Sequence, residues 1–201
     1  MTAGLKKPIP SNAAHLCIDM QRLFVETTEW RAPWAECILP VIVELCEARP
    51  DRVWFTRFIP AANPADAVGA WVGYWEHWSS MTLEALDPGL IDLAPPLQRF
   101  ARHERVVDKR AYSPWFGAAL HEKLQQAGVD TILITGAETD VCVLAAVLGA
   151  VDLGYRVVVV TDAVCSSADG PHDNLLALYS DRFSQQVETA DSQEVLSSWR
   201  G

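Results

Sequence analysis

The sequence predicts an α/β protein, a three-layer α/β/α sandwich forming a single domain over residues 1–201. Three observations carry this. Short, apolar, β-branched segments alternate with helix-length stretches along the chain. The run "TILITG…TDVCVLAAVLGAVDLG…YRVVVVTDA" reads strand, helix, strand, a unit whose strands lie parallel with a right-handed crossover. At 201 residues and 50% hydrophobic, with 12 Pro and 11 Gly dispersed, the chain is long enough for one continuous core.

The elements follow in order. "AAHLCIDM" (13–20) is a buried strand bounded by punctuation. "PWAECILPVIVELCEAR" (33–49) is a helix, with Pro33 in the first turn and Pro40 placed to kink it. "RVWFTRF" (52–58) is a second buried strand. Residues 60–100, rich in Pro, Gly and Trp and weakly periodic, form an irregular excursion with one short helix. "RVVDKR" (105–110) is a weaker strand, and "GAALHEKLQQAG" (117–128) is a helix stopped by Gly128. "TILITG" (131–136) and "YRVVVVTDA" (155–163) are strands flanking a helix capped by Thr139 or Asp140 and ended by Gly154. "SQQVETA" (184–190) completes six strand segments.

Composition narrows the function. A formal net charge of -10 argues against a nucleic-acid or anionic-membrane surface, because phosphate binding needs clustered Lys and Arg. A small-molecule substrate is expected. The start of the chain has two lysines but no long apolar segment, so neither a signal peptide nor a spanning helix is expected, and the location is read as cytoplasmic. Five cysteines, odd in number and without a CxxC pair, read as free thiols.

In an open parallel sheet, ligands bind beyond the carboxyl ends of the strands. Asp19 ends the first strand, Lys109 ends the third, and Cys142 opens the helix after the fourth. A cysteine among valines and alanines is by default a small hydrophobe. Brought together, however, a carboxylate, an ammonium and a thiol form a reactive set. The helix start and the ammonium favour the thiolate, Asp19 takes the proton, and Lys109 offsets the repulsion between carboxylate and sulfur.

These residues lie in segments that resemble a known family. "CIDMQRLF", "VVDKRAYSPWFG" and "TGAETDVCVLAAVLGAVDLGYRVVVVTDAVCSS" are similar to the isochorismatase-like cysteine hydrolases, over about residues 13–190. The resemblance implies a Rossmann-like, six-stranded parallel sheet and a catalytic triad of Asp19, Lys109 and Cys142. It further implies a cis peptide between Ala137 and Glu138, and an oxyanion hole made by the backbone N–H groups of Glu138 and Cys142. Relatives that are nicotinamidases hold a metal through histidines after the second strand; here "TRFIPAANPADAVGAW" has none, so neither metal nor other cofactor is expected.

The function expected is cleavage of a C–N bond in a small carboxamide, ureido or carbamoyl compound through a thioester. Two alternatives stand beside it. One is vinyl-ether hydrolysis with Asp19 as acid, for which Arg57 is a candidate partner of an anionic substrate. The other is a non-catalytic member of the fold. Phe24, Trp71, Tyr112 and Trp115 are candidate substrate contacts, because their segments follow strands at the same edge. The Trp71, Trp75 and Trp78 face reads as core or interface. His172 reads as structural, Cys17, Cys37, Cys46 and Cys165 as inert, and the aromatic excursion predicts a homo-oligomer, which the resemblance implies is a dimer or tetramer.

Overall fold

The structure, a computed structural model, describes residues 4–117 and 119–199. Along the chain run β1 (Ala14–Ile18), the single turn α1 (Arg22–Val25), α2 (Ala35–Ala48), β2 (Val53–Phe58), α3 (Trp71–His77) and α4 (Pro95–Gln98). They are followed by β3 (Val106–Lys109), α5 (Leu120–Gln126), β4 (Thr131–Ala137), α6 (Leu144–Asp152), β5 (Arg156–Cys165), α7 (Asp169–Ser180), β6 (Val187–Ala190) and α8 (Ser192–Ser198). The strands form one parallel six-stranded sheet in the order β3-β2-β1-β4-β5-β6. This is the predicted α/β architecture.

Strand periodicity builds the two cores. Leu16, Ile132, Ile134, Val157 and Val159 point to one face, where Leu120 and Leu124 of α5, Val147 of α6 and Tyr179 of α7 cover them. Cys17, Leu133, Val158 and Val160 point to the other, under Ile42 and Leu45 of α2 and Val195 of α8. Three layers result. Among the described residues, no helix is long and apolar enough to cross a membrane.

Several boundaries differ from expectation. The helix predicted from Pro33 begins at Ala35 and continues through the exposed Pro40, so neither proline sets an end. Neither Thr139 nor Asp140 caps a helix: Glu138 precedes a π-helical turn, Thr139–Val143, which leads into α6. Their side chains are engaged elsewhere, Thr139 with His172 and Asp140 with Ser166. The excursion holds two short helices, α3 and α4, rather than one. Of the helix predicted over 117–128, Ala118 lies outside the described residues, and Gly128 does stop the chain beyond α5 at φ +68°.

The order of strands puts a crevice where β1 and β4 meet, because the chain winds outward from there in both directions. Gly136 closes this seam. Its φ is +109°, and a Cβ there would stand 2.0 Å from the carbonyl oxygen of Ile18. The backbone of β4 can therefore press against β1 immediately before Asp19. Across the crevice, the excursion folds back as a strap: Ala94 N–H donates to the Met20 carbonyl at 2.9 Å and Arg22 N–H to Asp92 at 2.9 Å.

Candidate active site

Asp19, Lys109 and Cys142 meet at the carboxyl ends of β1, β3 and β4. Asp19 sits just past β1 with φ +48°, the left-handed conformation, which among the described residues no other non-glycine adopts. Thr56 of β2 fixes it twice. The threonine Oγ1 accepts from the Asp19 N–H at 3.1 Å and donates to Oδ1 at 2.6 Å. The remaining carboxylate oxygen, Oδ2, lies 2.6 Å from Lys109 Nζ, both side chains being fully buried. The same ammonium donates to Cys142 Sγ at 3.3 Å and to the Ala111 carbonyl at 3.1 Å, one partner for each N–H. The Phe58 ring lies 5.1 Å from it.

The electrostatics follow from burial. Desolvation lowers the affinity of the Lys109 amine for its proton, but Asp19 and Cys142 outweigh it and hold the ammonium above the usual lysine value. At Cys142, burial pushes the thiol well up, the Asp19 carboxylate pushes it further, and Lys109 only partly opposes them. Burial and Asp19 thus work against the thiolate expected from the sequence, and Lys109 works for it. A carboxylate, an ammonium and a thiol sum to zero charge, whereas ionising the sulfur as well would leave a net anion in a dry site.

The peptide bond between Ala137 and Glu138 is cis. The Glu138 carbonyl accepts from Val141 N–H at 3.1 Å and Val143 N–H at 3.0 Å, which shapes the turn carrying Cys142. Outside it, Thr139 Oγ1 lies 2.8 Å from His172 Nδ1, so His172 braces the turn from behind. Burial also raises the thiols of Cys17 and Cys165 to about 12, while Cys37 is exposed; all five cysteines are free.

A cavity of about 250 Å³ opens above the Cys142 sulfur. Phe24 and Tyr112 line it. Trp71 and Trp115 do not. Trp71 stands behind Tyr112, ring centroids 4.9 Å apart, and lines an adjoining hollow. Trp115 is drawn against α6: its indole donates to the Ala146 carbonyl at 2.9 Å, and Gly149 of α6 leaves the slot, since a Cβ there would meet the ring at 2.2 Å. The aromatic face of α3 is divided, with Trp75 buried as core and Trp78 on the cavity wall.

Sequence reasoning missed several residues here. Trp30, Tyr74, Glu29 and Ser167 reach the cavity from loops or a short helix, where no period indicates direction. Thr56 had a signal, being a polar residue inside a strand buried at every position but Arg57. Gln21, also buried, donates to the Phe58 and Ile91 carbonyls at 3.1 and 2.8 Å and accepts from Phe58 N–H at 2.7 Å, tying β1 to β2 and the strap. Arg22 is structural, paired with Glu26 at 2.6 Å. Arg57 is held by Asp108 at 2.8 and 2.9 Å and by Asp92 at 3.4 Å, and it is absent from the cavity wall.

Comparison with known proteins bears on the family and the fold. The model of the isochorismatase domain family matches residues 13–191. An uncharacterized isochorismatase family protein of Bacillus subtilis, YwoC, is 31% identical over 88 residues, 44% of this chain and 47% of that one. A probable inactive nicotinamidase of Arabidopsis thaliana is 28% identical over 165 residues, 80% of this chain and 84% of that one. The crystal structure of a cysteine hydrolase from Pseudomonas syringae pv. phaseolicola superposes with a TM-score of 0.81 at 21% identity, covering 97% of this chain and 96% of that one.

Proposed function

The chain belongs to the isochorismatase family of hydrolases, and from that premise we propose that it is a cysteine-dependent amidohydrolase acting on a small carboxamide, ureido or carbamoyl compound. One observation carries the reading: the buried Lys109 ammonium lies 2.6 Å from the Asp19 carboxylate and 3.3 Å from the sulfur of Cys142, which lines a cavity.

The steps follow from the proton count. As the sulfur of Cys142 bonds to the substrate carbonyl carbon, its proton passes to Asp19, and the negative charge that leaves the carboxylate appears on the substrate oxygen, so protein and substrate together gain no net charge. The carbonyl electron pair moves to oxygen, where the backbone N–H groups of Glu138 and Cys142 receive it. Collapse breaks the C–N bond, and Asp19 returns the proton to the departing nitrogen. Water then attacks the thioester, Asp19 takes a proton from it, and the sulfur leaves and is reprotonated. Lys109 stays charged throughout, holding Asp19 in place and favouring negative charge on sulfur.

The commitment of Arg57 to Asp108 and Asp92 weighs against the vinyl-ether reading, whose anionic substrate wants a free cation. The test is a screen of small amides, ureas and carbamoyl amino acids for ammonia release, with hydroxylamine present to intercept the acyl group. A hydroxamate is expected, with turnover lost by roughly 10⁴-fold or more in Cys142→Ala. Full activity in that variant, or pyruvate released from a vinyl ether, would refute the proposal.

A further inference from the structure

The walls of the cavity are chemically one-sided. Phe24, Trp30, Tyr74 and Trp78 present rings to it, and the charged side chains lining it are Glu29 and Glu138. No Arg, Lys or His is among its described lining residues. Cations of neighbouring segments are paired, Lys109 with Asp19 at 2.6 Å, Arg22 with Glu26 at 2.6 Å and Arg31 with Glu36 at 3.4 Å, while Arg110 lines the adjoining hollow rather than this cavity. Trp30 is the hub of the rings, its centroid 6.1 Å from Phe24, 6.1 Å from Tyr74 and 6.0 Å from Trp78.

The two carboxylates sit on opposite supports. Glu138 belongs to the sheet side, next to the nucleophile turn, and accepts from Ser167 N–H at 2.9 Å. Glu29 is exposed, neighbours Trp30 and accepts from the Ser80 hydroxyl beyond α3. Ring faces carry negative quadrupole potential, so rings and carboxylates act with the same sign on whatever enters. Both phenols are raised, Tyr112 by burial first and Tyr74 by burial and then by Tyr112, with Glu138 adding to each in the direction a negative neighbour gives. The net charge of -10 extends the bias to the approach from solution.

Resting on the amidohydrolase reading, we infer that the substrate is a small amide or ureide carrying an alkylammonium group, its carbonyl over Cys142 and its cation among Trp30, Tyr74, Trp78 and Glu29. A compact, nearly spherical cation suits a cage of several rings better than a planar or anionic group does. The volume of about 250 Å³ lies below the ~300–1,000 Å³ common for drug-sized ligands, which keeps the molecule small.

The test uses a matched pair, trimethylammonioacetamide and tert-butylacetamide, which differ only in a charged nitrogen for a carbon, with malonamate as the anionic counterpart. Binding to the full-length Cys142→Ala chain is read from tryptophan fluorescence, and ammonia release is read separately from wild type. The cation is expected to bind at least ~10-fold more tightly than its neutral isostere, with an advantage that shrinks as salt is added. Glu29→Gln and Trp78→Leu should each reduce that ratio by about threefold or more. Equal affinities, no binding of the cation, or tighter binding of malonamate would overturn the inference. Selective binding without ammonia release would count against the thioester chemistry and leave the cation pocket standing; ammonia release without preference would do the reverse.

Discussion

At the sulfur of Cys142, burial and two opposite charges compete, and their balance sets how the site works. Burial and Asp19 both favour the thiol, while Lys109 favours the thiolate. In the proposed mechanism the proton stays on sulfur until a carbonyl arrives, and Asp19 is its acceptor within the same buried cluster. Removing one charge should tip the balance in a direction that differs for each partner. Asp19→Asn takes away a term that raises the thiol, so the sulfur should ionise more readily while turnover, deprived of its base, falls by roughly 10²–10⁴-fold. Lys109→Met should do the opposite at sulfur. The sequence placed these residues together but not their proton, because the degree of desolvation depends on packing that no spacing reveals.

At the scale of elements, the site rests on a seam of β1 and β4 that has no room for a side chain. Gly136 is the residue that permits this, with its positive φ and its 2.0 Å virtual Cβ contact to the Ile18 carbonyl. Gly136→Ala should cost about 3–5 kcal/mol, combining a disfavoured backbone with overpacking against main chain that cannot yield. Urea unfolding of the variant measures it, and a loss below ~1 kcal/mol would mean that the seam is not tight. Strand-borne residues were legible because a strand fixes where its end points. Asp19, Lys109 and the turn of Cys142 are all of that kind. Phe24 and Tyr112 were also found, one turn beyond such ends. Trp30, Tyr74 and Glu29 come from segments without a period, and Trp115 was misassigned because the slot offered by Gly149 lies on a distant helix.

At the scale of the whole molecule, the edge remote from the site is fastened by charge. Arg156 and Glu188 pair at 2.8 Å with side chains 10% and 7% exposed. Around them, Lys6 N–H donates to Glu188 at 2.9 Å, and Arg156 donates to the Lys7 and Pro8 carbonyls at 2.6 and 2.9 Å. The N-terminal segment is thereby bound along β5 and β6. Burial would raise the Glu188 carboxyl, but Arg156 and the Lys6 amide prevail and hold it below the usual glutamate value. A lowered folded value means that the stabilisation is complete above the unfolded value and is lost as pH falls through the folded one. Glu188→Gln should therefore cost about 1–3 kcal/mol at neutral pH, with the gap from wild type narrowing by about pH 3. Urea unfolding at both pH values checks this, and a constant gap would contradict it. The alternation of strands and helices made the layered architecture readable, whereas this edge pairing joins positions far apart in the chain.

In the proposed site Cys142 and Asp19 exchange one proton under the influence of Lys109. The most direct measurement is the rate at which iodoacetamide alkylates Cys142 near neutral pH, followed by peptide mass spectrometry in wild type, Asp19→Asn and Lys109→Met. The account predicts the fastest labelling in Asp19→Asn, slower labelling in wild type and the slowest in Lys109→Met. Equal rates in all three, or the reverse order, would contradict it.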